Sequence, residues 1–449
     1  MDPVKKPQDI SRIIVLGGGP AGSFFAIFIL QMAKATGNPL EVIIFDHKNF
    51  RFAGPKGCNM CAGTIGNRLA NRLRDLGVPL TSQVIRHDIQ GFTFHAQDDW
   101  VDLKGGGEAK IYGVFRGGGP RQGQEAGEDQ DISFDQFILD YALKQGAKFQ
   151  EGEVVNIQLT DDQKPRVWFR LKGSGSAQIY EADLLAGAFG VNSALLNKFT
   201  FGYQPPMTWH TCQSEIRLGK DYIKERFRDM IHIFPIYSNN THYLAVTPKG
   251  EYITVSAIGP YIKIRTLEDI LRNSKISPFL PPSWETTCHC HPQIPITPAK
   301  RPFTNQLVIL GDASYSRYLK NGIESAFDTA YFAAETALHR GISAKAFHKG
   351  FDKRSRQKFV WDNMYGKFLF KMFEYVFTRK VFTHPLMALL KEEQEEKMAG
   401  EKPLSEILWE MFTGEVPYWQ TTRKALSPPL LTKLCYSTQK YWWVQRRAT

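Results

Sequence analysis

Long hydrophobic runs, cysteines and repeats are all scarce in this chain. The longest apolar stretch, Phe24 to Leu30, is closed by Gln31 and falls far short of the ~20 residues that span a bilayer. Six cysteines in 449 residues exclude a disulfide scaffold and suit a reducing compartment. The opening Met1 to Gly22 mixes acidic and basic residues and runs straight into an apolar strand, so no signal peptide is expected. The expected location is cytoplasmic, peripheral at most on the inner face of a membrane. No internal repeat is visible. What is present is 43 % hydrophobic and 22 % charged residues of both signs, which excludes wholesale disorder. At ~150 residues per domain the length allows up to about three structural units without metal or disulfide staples. The formal charge of +11 fits a phosphorylated ligand, an anionic membrane surface or nucleic acid. No nucleic-acid motif accompanies it, so a nucleic-acid partner is not expected.

Ile13-Ile14-Val15-Leu16 has no polar alternation, the pattern of a strand buried on both faces of a parallel sheet. Gly17-Gly18-Gly19-Pro20-Ala21-Gly22 follows, and Ser23 to Ala35 reads as a helix. In this Gly17-x-Gly19-x-x-Gly22 pattern the first glycine permits the turn, and the second lets backbone approach a pyrophosphate. The third lets helix close on strand. A second strand, Leu40 to Phe45, ends in Asp46, a carboxylate placed to accept ribose hydroxyls. No second glycine fingerprint follows a strand, so no dedicated nicotinamide domain is expected. Electrons must then come from an external donor: NAD(P)H, ferredoxin or a quinone.

Asn305 to Leu310 makes another buried strand and runs into Gly311-Asp312-Ala313. Gly322 and Ile323 then open a helix to Leu338 that carries Ser325, Ala326, Ala330, Ala333 and Ala334. A strand ending in Gly-Asp aims a carboxylate at polyol hydroxyls, and a glycine at a helix start brings backbone N–H groups to a ring edge. With these elements the chain resembles the FAD-dependent family of p-hydroxybenzoate-hydroxylase-like fold. The resemblance implies FAD as cofactor, with Gly17, Gly19, Pro20, Ala21, Gly22 and Asp46 around its adenosine diphosphate. It implies Gly311 and Asp312 at the ribityl chain and Gly322 and Ile323 near the flavin. Arg116, after the strand Ile111 to Phe115, stands where the family carries an FAD-contacting arginine. Phe134-Asp135 opens the helix to Gln145 as in the family. Phe189 in Leu184-Leu185-Ala186-Gly187-Ala188-Phe189-Gly190 replaces an Asp usual in aromatic hydroxylases.

The loop Lys56-Gly57-Cys58-Asn59-Met60-Cys61-Ala62-Gly63, before a helix expected from Ile65 to Leu76, is similar to the geranylgeranyl reductase branch of that family. That branch has a Cys-Gly-Gly or Cys-Ala-Gly element here, close to the reactive flavin face. The match implies catalytic Cys61, with Cys58 its neighbour, and a thiol that donates a proton opposite hydride delivery or shields the intermediate. Cys58-x-x-Cys61 also fits a redox dithiol or two structural thiols. Of the branch's Tyr-x-Trp-x-Phe-Pro element only Phe234-Pro235 remains, which with Tyr243 forms the expected substrate contact. Cys288-His289-Cys290-His291 alternates like a half-buried strand, and no metal site is expected there.

Alternating runs at Ile231 to Phe234, Tyr243 to Val246, Tyr252 to Val255 and Tyr261 to Ile264 predict an antiparallel sheet. The expected fold is therefore α/β (α+β): a Rossmann-like FAD-binding domain with a parallel sheet, an interleaved antiparallel substrate-binding sheet, and a helical C-terminal region. FAD-binding segments are expected at 1–85, 116–200 and 301–345, substrate-sheet strands at 86–115 and 201–300, and helices at 346–449. Stretches at 103–131 and 398–417 read as linkers, the first a cover or lid over the flavin. Residues 351–449 hold 17 basic and 11 acidic residues, and Met364, Tyr365, Phe368, Leu369, Met372, Phe373 and Val376 recur at helical spacing. That helix either packs on the FAD domain or rests on an anionic membrane, where Tyr441-Trp442-Trp443 with Arg446 and Arg447 would anchor. The function expected is reduction of carbon–carbon double bonds in a polyprenyl, geranylgeranyl-type lipid. The alternatives are a monooxygenase acting on a hydrophobic small molecule and a flavoprotein passing electrons to a quinone.

Overall fold

In the computed structural model the described residues are 10–96, 99–105, 110–118, 132–159, 164–199, 201–238, 240–395 and 402–448. The unalternating apolar runs form the middle of an eight-stranded sheet. Its parallel part runs Lys148–Gln158, Glu41–Asp46, Arg12–Leu16, Leu184–Gly187, Leu307–Ile309. Antiparallel strands Arg166–Leu171 and Gln178–Glu181 extend one edge, and Phe303–Thr304 closes the other. Helices Pro20–Ala35, Phe134–Lys144 and Gly322–Arg340 cover one face, where Phe24, Phe28, Ile138, Phe327 and Ala330 share one core. Phe24 and Phe28 meet Phe327 edge-on at 5.1 and 4.9 Å, so two helices from opposite ends of the chain lock together.

A seven-stranded sheet carries the alternating text, in the order Thr286–Cys290, Cys212–Arg217, Tyr252–Ile258, Thr241–Lys249, Met230–Ser238, Gly91–Ala96, Asp99–Lys104. Only Met230–Ser238 against Gly91–Ala96 is parallel; the other pairs are antiparallel. Its period of two separates two cores. Ile231, Ile233 and Tyr243 face C-terminal helices with Phe370 and Phe412, while Phe234, Leu244 and Val246 face Leu267 and Ile270. Cys288 and Cys290 lie on its edge strand.

Several expected boundaries move. Tyr261 to Ile264 is no strand: Ile264–Asn273 is a helix, because Leu267, Ile270 and Leu271 recur at a spacing of three and four and bury together. Ile85–Ile89 and Ile111–Val114 leave the large substrate sheet for a three-stranded one, in which Ile111–Val114 lies between Thr64–Gly66 and Ile85–Ile89. The helix expected from Ile65 therefore begins at Asn67. Nor is 402–417 a linker, since Pro403–Thr413 is a helix with Leu404, Ile407, Leu408, Met411 and Phe412 buried. Its Pro403 and Gly414 (φ +66°) are start and stop residues rather than linker composition. The expected lid falls largely on 106–109 and 119–131, outside the described residues.

Candidate cofactor and substrate site

Two positions of the glycine turn, Gly17 and Gly22, leave no room for a side chain. Gly17 has φ +115°, and a Cβ there would lie 2.5 Å from the Ala188 carbonyl oxygen. At Gly22 a Cβ would stand 1.9 Å from the Gly17 carbonyl oxygen, closer than any real contact, so only glycine lets the helix meet the turn. Gly18 N–H donates to Asp46 Oδ2 at 2.7 Å, tying the end of the second strand to the turn. Gly19, Pro20 and Ala21 then point the open N-terminus of helix Pro20–Ala35 into a cavity of about 1050 Å³.

The same cavity is lined by Asp46, Cys58, Cys61, Arg116, Gly311, Asp312, Gly322, Ile323 and Tyr243, residues spread over most of the chain. Gly22 does not line it and serves the packing just described. Asp312 Oδ1 is buried without a hydrogen-bond partner among the described residues. Burial raises the pKa of its carboxyl, against the opposing pull of the Ser316 hydroxyl and the Arg116 charge. A Cβ on Gly322 would press to 3.2 Å from this carboxylate, so glycine leaves room beside it. An orphaned buried acceptor, a bare helix N-terminus and a glycine cradle fit the ribityl hydroxyls, pyrophosphate and ring edge of FAD. The residues present therefore fit that cofactor.

Arg116 is turned toward Asp135: Nη2 donates to Oδ1 at 3.0 Å and Nε donates to Oδ2. Burial opposes its charge, but Asp135 holds the guanidinium above its ordinary pKa, with the Cys61 and Cys58 sulfurs acting in the same direction. Asn59 Nδ2 donates to the same Asp135 carboxylate, so ion pair and cysteine loop form one unit. Lys48 Nζ donates to the Cys58 carbonyl at 2.8 Å and to Asn59 Oδ1 at 2.9 Å. Beyond the loop, Arg68 and Arg72 of helix Asn67–Asp75 clamp Glu324 at 2.7 and 3.2 Å, fastening it to the helix that begins at Gly322. Met60 N–H donates to Cys58 Sγ at 3.3 Å and Gly63 N–H to Cys61 Sγ at 3.5 Å. Burial pushes the Cys58 thiol pKa up, so the sulfur keeps its proton at neutral pH.

Two expected substrate residues are not at the cavity. Phe234 stacks on His95 at 4.0 Å and 7°, against Phe279, on the far face of its strand. Pro235 pairs with Tyr243 in the ladder and likewise does not line the cavity. The period of two sends Ile231 and Ile233 there instead, with Tyr243, Ala245 and Ile258 from neighbouring strands. Phe412, Lys320 and Glu215 also line the cavity and carry no recognisable signal in the sequence, and Cys290 of the alternating Cys288-His289-Cys290-His291 run joins them. Burial lifts the Cys288 thiol to about 12 and raises that of Cys290 further, and Cys58 lies within electrostatic reach of both.

No family model and no curated protein matches the chain. Solved structures do. The chain is similar to a geranylgeranyl bacteriochlorophyll reductase-like protein from Thermoplasma acidophilum, with TM-score 0.62 and 15 % identity over 95 % of this chain and 99 % of that one. A flavoprotein/dehydrogenase from Cytophaga hutchinsonii gives 0.63 and 15 % over 97 % and 100 %. The flavin-dependent brominase Bmp2 gives 0.61 and 15 % over 84 % and 93 %. Such identities show the fold, which is the α/β fold of these flavoproteins.

Proposed function

We propose that the chain is an FAD-dependent oxidoreductase that reduces carbon–carbon double bonds of a polyprenyl lipid. The observation that carries this reading is the cysteine loop, whose Cys58 and Cys61 line the same cavity as the glycine cradle and the apolar Ile231, Ile233 and Tyr243. FAD in its two-electron-reduced form supplies the hydride, and an external donor, NAD(P)H, ferredoxin or a quinol, replaces the electrons. The chain's own part is to hold the alkene against Ile231, Ile233 and Tyr243, exclude water and supply the proton. Cys58 or Cys61 holds that proton at Sγ, gives it to the second alkene carbon and regains one from solvent.

The exposed face of helix Trp361–Phe377 supports a lipid substrate. Its apolar residues split into two stripes: Leu369, Phe370 and Phe373 are buried, while Trp361, Met364, Tyr365, Phe368, Met372 and Tyr375 are exposed at three-and-four spacing. Exposed Lys367 and Lys371 lie among them. We take this cationic, aromatic stripe as a contact with an anionic membrane surface. No helix among the described residues is long and apolar enough to cross a membrane. The side chains of Arg446 and Arg447, expected to anchor there, lie outside the described set.

The test is anaerobic incubation of dithionite-reduced holoprotein with a geranylgeranyl lipid, followed by mass spectrometry of the lipid. Addition of a hydrogen pair per double bond is expected. An unchanged lipid, or one that gains oxygen or halogen only when air is admitted, would overturn the reading.

A further inference from the structure

Among the described residues, the lysine and arginine side chains that line the cavity are hydrogen-bonded or ion-paired with one exception. Arg116 is paired with Asp135, and Arg317 lies 3.5 Å from Asp362 while donating to the Gly414 and Val416 carbonyls. Lys48 donates to Cys58 and Asn59, and Lys198 donates to the Val154 and Val155 carbonyls at 3.1 and 2.6 Å. Lys320 is different. Its ammonium has no hydrogen bond and no ion pair among the described residues, and meets only the faces of Phe412 and Tyr243, at 4.8 and 5.5 Å from the ring centroids.

An ammonium held against apolar walls without an anion is disfavoured. Two cation–π contacts offset part of that. Burial accordingly pulls Lys320 down to about 8, which leaves it mostly protonated at neutral pH. The rings it lies on form the apolar end of the cavity together with Phe92, Ile231 and Ile233. An ammonium among hydrocarbon walls, beside Gly322 but turned toward the substrate sheet, is placed to meet an anion carried by an apolar molecule.

We propose that Lys320 is an anion subsite, selecting substrates in which an apolar body ends in an acidic group, a carboxylate or a phosphate. The proposal rests on the substrate cavity assigned above, and defines which end of the ligand lies where. The acidic group forms a charge-assisted hydrogen bond to Nζ, and the hydrocarbon runs from Phe412 along Ile231 and Ile233 toward the cysteine loop.

The experiment compares ligands with one hydrocarbon and two ends, geranylgeranoic acid and geranylgeraniol, titrated at pH 7 into oxidised holoprotein and followed by flavin absorbance. A second pair, 2-naphthoic acid and 2-naphthol, is titrated in parallel. Wild type is expected to bind each acid on the order of ten- to a hundredfold more tightly than its alcohol. Lys320→Met is expected to abolish that preference with alcohol affinity unchanged, and Lys320→Arg to keep most of it; bound FAD and melting temperature verify folding. Equal binding of acid and alcohol by wild type would overturn the proposal, as would a preference that survives Lys320→Met, a substitution that alters only FAD affinity, or no binding of any ligand. Binding of the naphthyl acid in a Lys320-dependent way, with no binding of either geranylgeranyl compound, would uphold the subsite and remove the polyprenyl reading instead.

Discussion

Substituting Asp312 is expected to move cofactor affinity and apoprotein stability in opposite directions. Its Oδ1 is buried and unpartnered. In the apoprotein that atom costs about 1–3 kcal/mol, the penalty of a buried polar atom without a bond. Asp312→Asn removes the charge from a site where burial already disfavours it. The apoprotein should therefore keep its melting temperature or gain on the order of a few degrees. With FAD bound, a ribityl hydroxyl donating to the carboxylate gains a charge-assisted bond of about 1.5–3 kcal/mol. Losing most of it weakens FAD binding by roughly ten- to a hundredfold, at 1.4 kcal/mol per decade. The assay is FAD titration of apoprotein by quenching of flavin fluorescence, with calorimetric melting of the same samples. Unchanged FAD affinity, or a large loss of apoprotein stability, would refute the reasoning and make Asp312 a structural residue.

Gly22→Ala should fail to hold FAD, because its Cβ would overlap the Gly17 carbonyl oxygen; flavin content after purification measures this. Cys58→Ala and Cys61→Ala should leave FAD content intact, and the one that donates the proton should slow lipid reduction by about 10²–10⁴-fold in single-turnover kinetics. The buried pair His95 and His232, 3.0 Å apart, is held by burial at about 3 and about 4. Below pH 6.5 the unfolded chain takes up protons that the folded chain refuses, so stability falls as pH drops from about 6.5 toward 4. Urea melts at pH 7 and pH 5 should differ by on the order of 2 kcal/mol per histidine, and His95→Phe/His232→Phe should flatten the difference. Met364→Glu/Phe368→Glu should abolish sedimentation with phosphatidylglycerol vesicles and leave FAD content unchanged.

The elements of the candidate cradle are legible in the sequence because they are local: a strand, three glycines and a helix within Ile13 to Ala35, and a strand, Gly311-Asp312 and Gly322 within twenty residues. Short-range sterics dictate those patterns, so they read without tertiary knowledge. The substrate wall was harder. Phe234-Pro235 drew attention as a motif, but the period of two along Ile231-His232-Ile233-Phe234 decides which side chains face the cavity, and register assigns the isoleucines. The helix at Pro403 carried its signal in Leu404, Ile407, Leu408 and Met411, masked by proline and glycine that in fact punctuate its ends. Lys320 and Phe412 are brought together only by folding, and no local pattern marks a residue whose role comes from distant neighbours.

The proposed function requires that flavin reduced in this protein be reoxidised by a prenyl double bond. The direct measurement is the absorption spectrum of anaerobic, chemically reduced holoprotein as a geranylgeranyl lipid is added. Return of the oxidised flavin bands in proportion to double bonds reduced is expected. A flavin that stays reduced until oxygen or a quinone is admitted would contradict it.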